Sequence, residues 1–217
     1  VVQAGNFGAI RVLAEYGTPL QKEKYLKRLL AGEAVISVGM SEPEAGSAVT
    51  DLATTAQPDG DGYRVNGSKV FTTHSGYADV VLAYVRFGPG VGGIGSVLID
   101  TRAPGVRYGQ RSKFMSGEDW AQVYFEDVRV PADMVVLKEG GFKKQIAGFN
   151  VERIGNTARS LALGRYAYEE ARQWALQRKQ FGRLLCEFQG LQWKFADMKM
   201  KLDAGQLLLY RAAANAD

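Results

Sequence analysis

The sequence contains a single cysteine, Cys186, and a single histidine, His74, among its 217 residues. One cysteine excludes a disulfide within the chain, and together with one histidine it cannot supply a cysteine-rich or histidine-rich metal site. We therefore expect no bound metal, and the cysteine content is typical of a reducing compartment. The sequence also lacks an apolar run long enough to cross a bilayer and an initial signal peptide, so we expect no membrane association.

The chain has little excess of either charge, with 27 Lys and Arg against 23 Asp and Glu. Residues 1–138 contain 14 basic and 15 acidic side chains, a net of −1, whereas residues 139–217 contain 13 and 8, a net of +5. A basic helical region suits a polyphosphate ligand or nucleic acid, and a solvated surface has the same composition. Because +5 is a modest charge for binding a duplex, we do not expect nucleic acid among the partners.

Hydrophobic periodicity divides the chain into three regions. Residues 1–34 have a helical pattern, residues 35–138 form short extended runs separated by turns, and residues 139–217 return to helical spacing. This order predicts an α+β fold in which a β barrel or sandwich is inserted between helical parts. Val1 and Asp217 both lie within helical patterns, which indicates a chain that continues at both ends.

Three local patterns make specific structural predictions. Leu20, Tyr25, Leu29 and Leu30 are expected to form the apolar face of the first helical region. Asn66-Gly67 lies between two alternating runs and is the strongest short signal for a β-hairpin turn. Residues 88–95 include five glycines and are expected to form a flexible hairpin loop rather than a phosphate cradle, because no helix begins directly after them.

Four short segments carry side chains that suit a bound cofactor. Residues 38–47 combine small residues, which let backbone N–H groups approach a ligand, with the hydroxyls of Ser41 and Ser47. Residues 69–76 place an aromatic and two hydroxyls at a strand end, where they could stack on a flat heterocycle. Taken alone, residues 38–47 are more typical of a polar turn between helix and strand, and residues 69–76 are also typical of an edge strand rich in β-branched residues.

The other two segments have stronger structural interpretations. Residues 125–131 are a charged strand ending at a proline, which is typical of a strand terminator. Residues 177–182 contain adjacent Arg178 and Lys179 at a helix end, where they suit either a phosphate or the helix dipole.

Together, in this order and spacing, the four segments resemble the acyl-CoA dehydrogenase family. The matching residues are Glu42-Pro43, Gly46-Ser47, Phe71-Thr72-Thr73, Phe125-Glu126-Asp127-Val128-Arg129-Val130-Pro131, Arg178, Phe181-Gly182 and Gln189. The resemblance covers essentially the whole chain. It implies the end of a helical N-terminal domain at 1–34, a middle β domain at 35–138 and the start of a C-terminal antiparallel helical bundle at 139–217.

The resemblance implies that FAD is the cofactor and that its ring lies between the β domain and the helices. The positions that would contact FAD are Met40, Ser41, Gly46, Ser47, Phe71, Thr72, Thr73, Arg178, Phe181 and Gln189. The last three resemble residues that reach FAD in a neighbouring subunit, which implies a homotetramer built as a dimer of dimers. Members usually have Trp where Phe71 stands, Thr where Ser41 stands and Asp where Ala48 stands, and none of these changes removes a flavin site.

The implied reaction is α,β-desaturation of an acyl-CoA thioester, which needs a carboxylate beside the α carbon. Glu152 is the candidate base, since two branches of the family place a glutamate followed by arginine at this helix position. The alternative is a glutamate beyond residue 217, with Glu152 in a structural pairing. Ser47, Asn150 and Arg153 are the expected substrate contacts, and Arg153 projects about 100° around the helix from Glu152. His74 is expected to make a polar contact at a strand end.

An electron-transfer flavoprotein is the implied electron acceptor, in fatty acid or amino acid catabolism. The expected location is the cytoplasm for a bacterial protein and the mitochondrial matrix for a eukaryotic one. Two alternatives stay open: the same fold with nitroalkane oxidase or flavin monooxygenase chemistry, and a DNA-associated flavoprotein of the alkylation-response branch. A salt-dependent DNA gel shift would identify the latter.

Overall fold

The structure, a computed structural model, describes residues 4–115 and 117–216. The first three residues of the predicted first helical region lie outside the described residues, as does Asp217. The chain divides into two compact units, the first ending at Phe149 and the second beginning at Asn150. Each unit is described by itself below.

The first unit opens with short helical segments that pack against the sheet. They are α1 (Ala4–Tyr16), α2 (Pro19–Gln21), a π-helical turn (Lys22–Leu26) and α3 (Lys27–Ala31). Thr18 caps α2, since its hydroxyl accepts from the backbone N–H of Gln21 at 3.2 Å while the Gln21 side chain accepts from the Thr18 N–H at 3.0 Å. This reciprocal box satisfies two backbone donors that the helix itself cannot.

The buried face of this helical region differs from the predicted one. Tyr25 and Leu29 are buried as expected, but Leu20 is 52% exposed and Leu30 is 70% exposed, so the prediction was wrong for these two. Gln21 takes the buried position instead, and its side-chain NH₂ donates to the backbone oxygens of Asp133 at 2.6 Å and Val135 at 2.9 Å. A buried amide that satisfies two carbonyls stabilises this position better than an apolar side chain would.

A nine-stranded mixed sheet forms the body of the first unit. Its strands are β1 (Ile36–Gly39), β2 (Thr55–Asp59), β3 (Gly62–Thr73), β4 (Val80–Arg86), β5 (Ile94–Asp100), β6 (Val106–Tyr108), β7 (Ser112–Lys113), β8 (Asp119–Pro131) and β9 (Val135–Leu137). The order is β6-β8-β3-β2-β4-β5-β9, with β1 parallel to β4 and β7 paired with β8. The predicted α+β class is confirmed.

The core lies on the central strands. In β4 and β5 nearly every residue is buried, and their apolar side chains belong to two clusters of buried hydrophobic residues. Residues 88–95 connect β4 to β5 as an antiparallel hairpin, as predicted, and include a 3-10 turn at Val91–Gly93.

Asn66 and Gly67 do not form the predicted hairpin turn, and that prediction was wrong. They lie inside β3 at a β-bulge, where the register with β8 shifts, while the hairpin between β2 and β3 turns at Gly60-Asp61. The Asn66 side chain exchanges two hydrogen bonds with Asp127, at 2.9 and 3.0 Å. Gly67 has φ +145°, and a Cβ there would lie 2.5 Å from the Thr54 hydroxyl, so glycine permits a close approach rather than a turn.

Two long helices and a small hairpin complete the chain. Helix α4 (Gly141–Gln177) runs across the division between the units, and it is followed by β10 (Lys179–Gln180), β11 (Arg183–Leu184) and α5 (Gln189–Ala214). In the second unit α4 and α5 lie antiparallel, since a Cβ on Gly164 would meet Leu202 and one on Gly205 would meet Leu161. Within the described residues, no helix is both long and apolar enough to cross a membrane.

Candidate functional site

A buried ion pair joins the loop after β1 to the middle of β3. The Lys69 ammonium lies 2.7 Å from a Glu42 carboxylate oxygen, and these side chains are 0% and 7% exposed. Lys69 also donates to the backbone oxygen of Met40 at 3.3 Å. Glu42 accepts from the backbone N–H groups of Ala53 at 2.6 Å and Thr54 at 3.0 Å. Three backbone segments are thereby held around one pair of charges.

The environment shifts the pKa of both partners downward. Burial lowers the pKa of Lys69 to about 8, although the Glu42 carboxylate opposes this change. Burial acts to raise the pKa of Glu42, but the ammonium of Lys69 and the hydrogen bonds from Lys69, Thr54 and Ala53 outweigh it and lower the pKa. Both side chains are therefore charged at neutral pH, and each buried charge is compensated by the other.

The loop held by this pair presents small and polar groups. Glu42 and Ala45 exchange backbone hydrogen bonds at 3.0 and 3.1 Å, which folds the loop back on itself. Met40 and Ser41 are partly buried, and the loop tip at Gly46 and Ser47 is exposed. A Cβ on Gly46 would meet no atom within 4 Å, so its backbone is open to a ligand.

Phe71 has an unusual backbone and an exposed ring. It lies where the register between β3 and β8 shifts, with φ +56°, and 55% of its surface is exposed. The backbone N–H of Val70 donates to the backbone oxygen of Ser41 at 2.8 Å, which fixes the Ser41 backbone beside this bulge. A left-handed conformation is strained for a bulky residue and persists where the surrounding structure imposes it, often at a binding site.

The residues after Phe71 alternate between buried and accessible positions. Thr72 is fully buried, and its hydroxyl has no hydrogen-bond partner among the described residues. Thr73 is half-buried, and its backbone oxygen accepts from the hydroxyl of Ser37 at 2.7 Å. The Thr73 hydroxyl lies 3.5 Å from the backbone oxygen of Phe71, whereas the Thr72 side chain is buried.

His74 makes the polar contact expected at the end of β3. Its Nδ1 lies 2.5 Å from the Tyr77 hydroxyl, and its backbone N–H donates to the oxygen of Asp119 at 2.9 Å. Burial lowers the pKa of His74, while the nearby charges of Glu118 and Asp119 act in the opposite direction. The other ring nitrogen, Nε2, is buried and has no hydrogen-bond partner among the described residues.

The candidate base and two of the three predicted substrate residues lie in the second unit, on α4. Glu152 is half-buried, and Asn150 and Arg153 are exposed. The Arg153 guanidinium donates to the Asn150 side-chain oxygen at 3.0 Å. The structure therefore brings two of the three predicted substrate residues into contact, while Ser47 belongs to the first unit.

The predicted inter-subunit residues surround the β10–β11 hairpin. Its turn consists of Phe181 and Gly182, both with positive φ, at +51° and +80°, and Phe181 is 94% exposed at the tip. The backbone oxygen of Arg178 accepts from Leu185 at 2.9 Å, which closes the hairpin, and Gln189 is the first residue of α5. A fully exposed aromatic on a strained turn is suited to contact another molecule.

The residues of the first unit fit a flat aromatic cofactor with a phosphate group. Phe71 offers an exposed ring for stacking, and the backbone of Ser41 and the hydroxyl of Thr73 both contact the backbone near it. Gly46 and Ser47 offer an exposed polar loop tip. Sequence reasoning missed the Glu42–Lys69 pair that organises this surface, although both residues lie in the segments that were singled out. A lysine at an inward-facing strand position would indicate a buried ion pair. The sequence does not show that Lys69 faces inward, because a bulge on each side of it interrupts the alternation of inward and outward residues.

Comparison with known proteins gives two family-model matches. Residues 37–128 match the model described as "Acyl-CoA dehydrogenase, middle domain", and residues 139–217 match "Acyl-CoA dehydrogenase, C-terminal domain". Among curated relatives, the short-chain-specific acyl-CoA dehydrogenase of Megasphaera elsdenii is 36% identical over 205 residues, which are 92% of this chain and 54% of the relative. This chain thus spans about half the length of the curated relatives it matches.

Two solved structures share the fold. A chain of the structure described as the electron transferring flavoprotein of Acidaminococcus fermentans is 33% identical with a TM-score of 0.90, covering 98% of this chain and 58% of that one. A glutaryl-CoA dehydrogenase from Mycobacterium smegmatis in complex with FADH2 is 26% identical with a TM-score of 0.89, covering 98% of this chain and 55% of that one.

Proposed function

Because this chain belongs to the acyl-CoA dehydrogenase family, we propose that the protein oxidises an acyl-CoA thioester between its α and β carbons with FAD as cofactor. The observation that supports this proposal most is the exposed ring of Phe71 on a left-handed backbone, between the Ser41 backbone on one side and the Thr73 hydroxyl, 3.5 Å from the Phe71 backbone oxygen, on the other. When bound, FAD would supply the oxidant that accepts a hydride from the β carbon.

The residues proposed to hold FAD have different roles. Phe71 would stack on the ring system, and Met40, Ser41 and Thr73 would line its edge, with Thr72 packed behind the strand. Gly46 and Ser47 would face the pyrophosphate through exposed backbone and hydroxyl groups. In a homo-oligomer, Arg178, Phe181 and Gln189 of one subunit would reach the FAD of another, for which the exposed Phe181 ring is suited.

Glu152 is our proposed base for the α proton. Removal of a weakly acidic α proton needs a positioned carboxylate. Glu152 is half-buried on a helix, and the Asn150–Arg153 pair lies within one turn of it. Asn150, Arg153 and Ser47 are our proposed substrate contacts. The proton would end on the Glu152 carboxylate, and the alternative base is a different glutamate.

The test is to add each of a panel of acyl-CoA thioesters to the FAD-loaded protein without oxygen. Reduction of the flavin is monitored as the loss of its visible absorbance. We expect at least one acyl-CoA to bleach the flavin and Glu152→Gln to slow bleaching by about 100-fold or more, the range for loss of a general base. The matched control is Glu170→Gln, an exposed carboxylate on the same helix, which should bleach as wild type does.

The outcomes separate the parts of the proposal. Flavin that no acyl-CoA of the panel bleaches would contradict the dehydrogenase activity. Unchanged bleaching in Glu152→Gln would keep the activity and assign the base to a different glutamate. Reoxidation of the reduced protein by an added electron-transfer flavoprotein, faster than by oxygen, would support that partner as the electron acceptor.

A further inference from the structure

Trp120 is an aromatic residue of β8 that lies beside the proposed flavin surface. In the sheet it is directly opposite Thr73 on one side and Ser112 on the other. Its ring centroid is 4.8 Å from that of Phe71, with the planes tilted by 53°. On a second side its ring is stacked with Phe114, with centroids 5.9 Å apart and planes at 29°. These three rings form a continuous row, which we call the aromatic row.

The exposed ring of Phe71 needs support from its neighbours. Its backbone is left-handed at a register shift, so the sheet hydrogen bonds alone do not fix the direction of its side chain. More than half of its surface is exposed, which leaves few contacts to select one ring orientation. The indole of Trp120 packs against the Phe71 ring, and Phe114 packs against the indole in turn. Trp120 is therefore the residue placed to hold that orientation.

Phe71 lies on β3 and Trp120 on the neighbouring strand β8. The aromatic surface is thus divided between two strands. We propose that Trp120 is a positioning residue that orients Phe71 for stacking on FAD, an inference that rests on the proposed function.

The test is a double-mutant cycle on FAD affinity, with Trp120→Leu, Phe71→Leu and both changes together in the purified protein. Trp120→Leu is expected to weaken FAD binding by about two- to tenfold, the range for the loss of one aromatic pair. In the Phe71→Leu background, Trp120→Leu should cause no further loss, because it acts through Phe71. Trp120→Phe, which keeps an aromatic ring, should restore most of the affinity.

A matched control and a spectroscopic readout exclude a merely structural effect. Tyr124→Leu removes an aromatic from the same strand, away from Phe71, and should leave FAD affinity unchanged. The visible absorbance of bound FAD should shift in the same direction in Trp120→Leu and in Phe71→Leu, and it should not shift in Tyr124→Leu.

Each outcome decides one of the two proposals. If wild-type protein fails to bind FAD, the proposed function is wrong and the role of Trp120 falls with it. If wild type binds FAD and Trp120→Leu binds it equally well, only the role of Trp120 is wrong. The role of Trp120 would also be wrong if Trp120→Leu reduced FAD affinity equally with and without the Phe71 ring, because the effect would then not pass through Phe71.

Discussion

Replacing Lys69 by methionine tests whether the buried ion pair organises the loop after β1. The change keeps most of the side-chain volume and removes the cation, which leaves the Glu42 carboxylate 7% exposed without its partner. Removing one member of a buried pair costs about 3–5 kcal/mol, because the remaining charge stays desolvated. Glu42 keeps the N–H groups of Ala53 and Thr54, so we expect the lower end of this range.

The expected loss is large compared with total stability. Single domains are stable by about 5–15 kcal/mol, so a loss of about 3 kcal/mol removes a substantial part. For a chain of this size it corresponds to a fall in melting temperature of about 6–12 °C. The assay is urea unfolding followed by circular dichroism at neutral pH, where both side chains of the wild-type pair are charged.

Two control variants make this prediction specific. Lys201 lies 2.7 Å from Asp197 but is exposed, so Lys201→Met should cost less than about 1 kcal/mol. Adding Glu42→Gln to Lys69→Met removes the uncompensated charge and should recover much of the lost stability. A loss below about 1 kcal/mol for Lys69→Met, or a double variant as unstable as the sum of the two single ones, would refute the reasoning.

Three further predictions follow from the geometry. Gly67→Ala should destabilise the protein by about 1–3 kcal/mol in urea unfolding, because a Cβ would lie 2.5 Å from the Thr54 hydroxyl. The control is Gly60→Ala, which should cost less because the space around Gly60 is open. Gln21→Leu should cost about 1–3 kcal/mol in the same assay, because the backbone carbonyls of Asp133 and Val135 lose their donor, and equal stability would contradict the role given to Gln21. Folding lowers the pKa of Glu42, so the unfolded state binds more protons than the folded state in acid. The stability that Glu42 contributes should therefore be complete above its ordinary pKa of 4.5 and should be lost as the pH falls below 4.5. The measurement is urea unfolding as a function of pH, with the double variant Glu42→Gln, Lys69→Met as the reference.

The elements of the fold were predictable where one local pattern dominates. The apolar runs of β4 and β5 and the helical spacing after Gly141 are long enough for periodicity to identify them. The glycine-rich connection between β4 and β5 was predicted from composition, since glycines between two extended runs are typical of a hairpin loop.

The errors arose where residues distant in sequence determine the local structure. Asn66 and Gly67 have the composition of a turn, but contacts with Thr54 and Asp127 make them a bulge within one long strand. Likewise, Gln21 is buried because its amide meets two carbonyls more than a hundred residues later, and no helical pattern contains that information.

The candidate site divides in the same way. The segments that carry Ser41, Ser47, Phe71 and Thr73 were recognisable as motifs, because their composition and spacing are local. Their support was not recognisable, because the Glu42–Lys69 pair depends on the contact of the loop after β1 with β3, and the contact of Trp120 with Phe71 depends on the pairing of β3 with β8. The exposed ring of Phe71 likewise depends on a bulge that shifts the strand register.

The most direct measurement of the central claim is an experimental structure of the protein with FAD and a non-reactive acyl-CoA analogue. We predict that the isoalloxazine lies against the exposed face of Phe71, with the hydroxyl of Thr73 at its edge and Ser47 beside the pyrophosphate. FAD bound at a surface that does not include Phe71 and Thr73 would contradict the account.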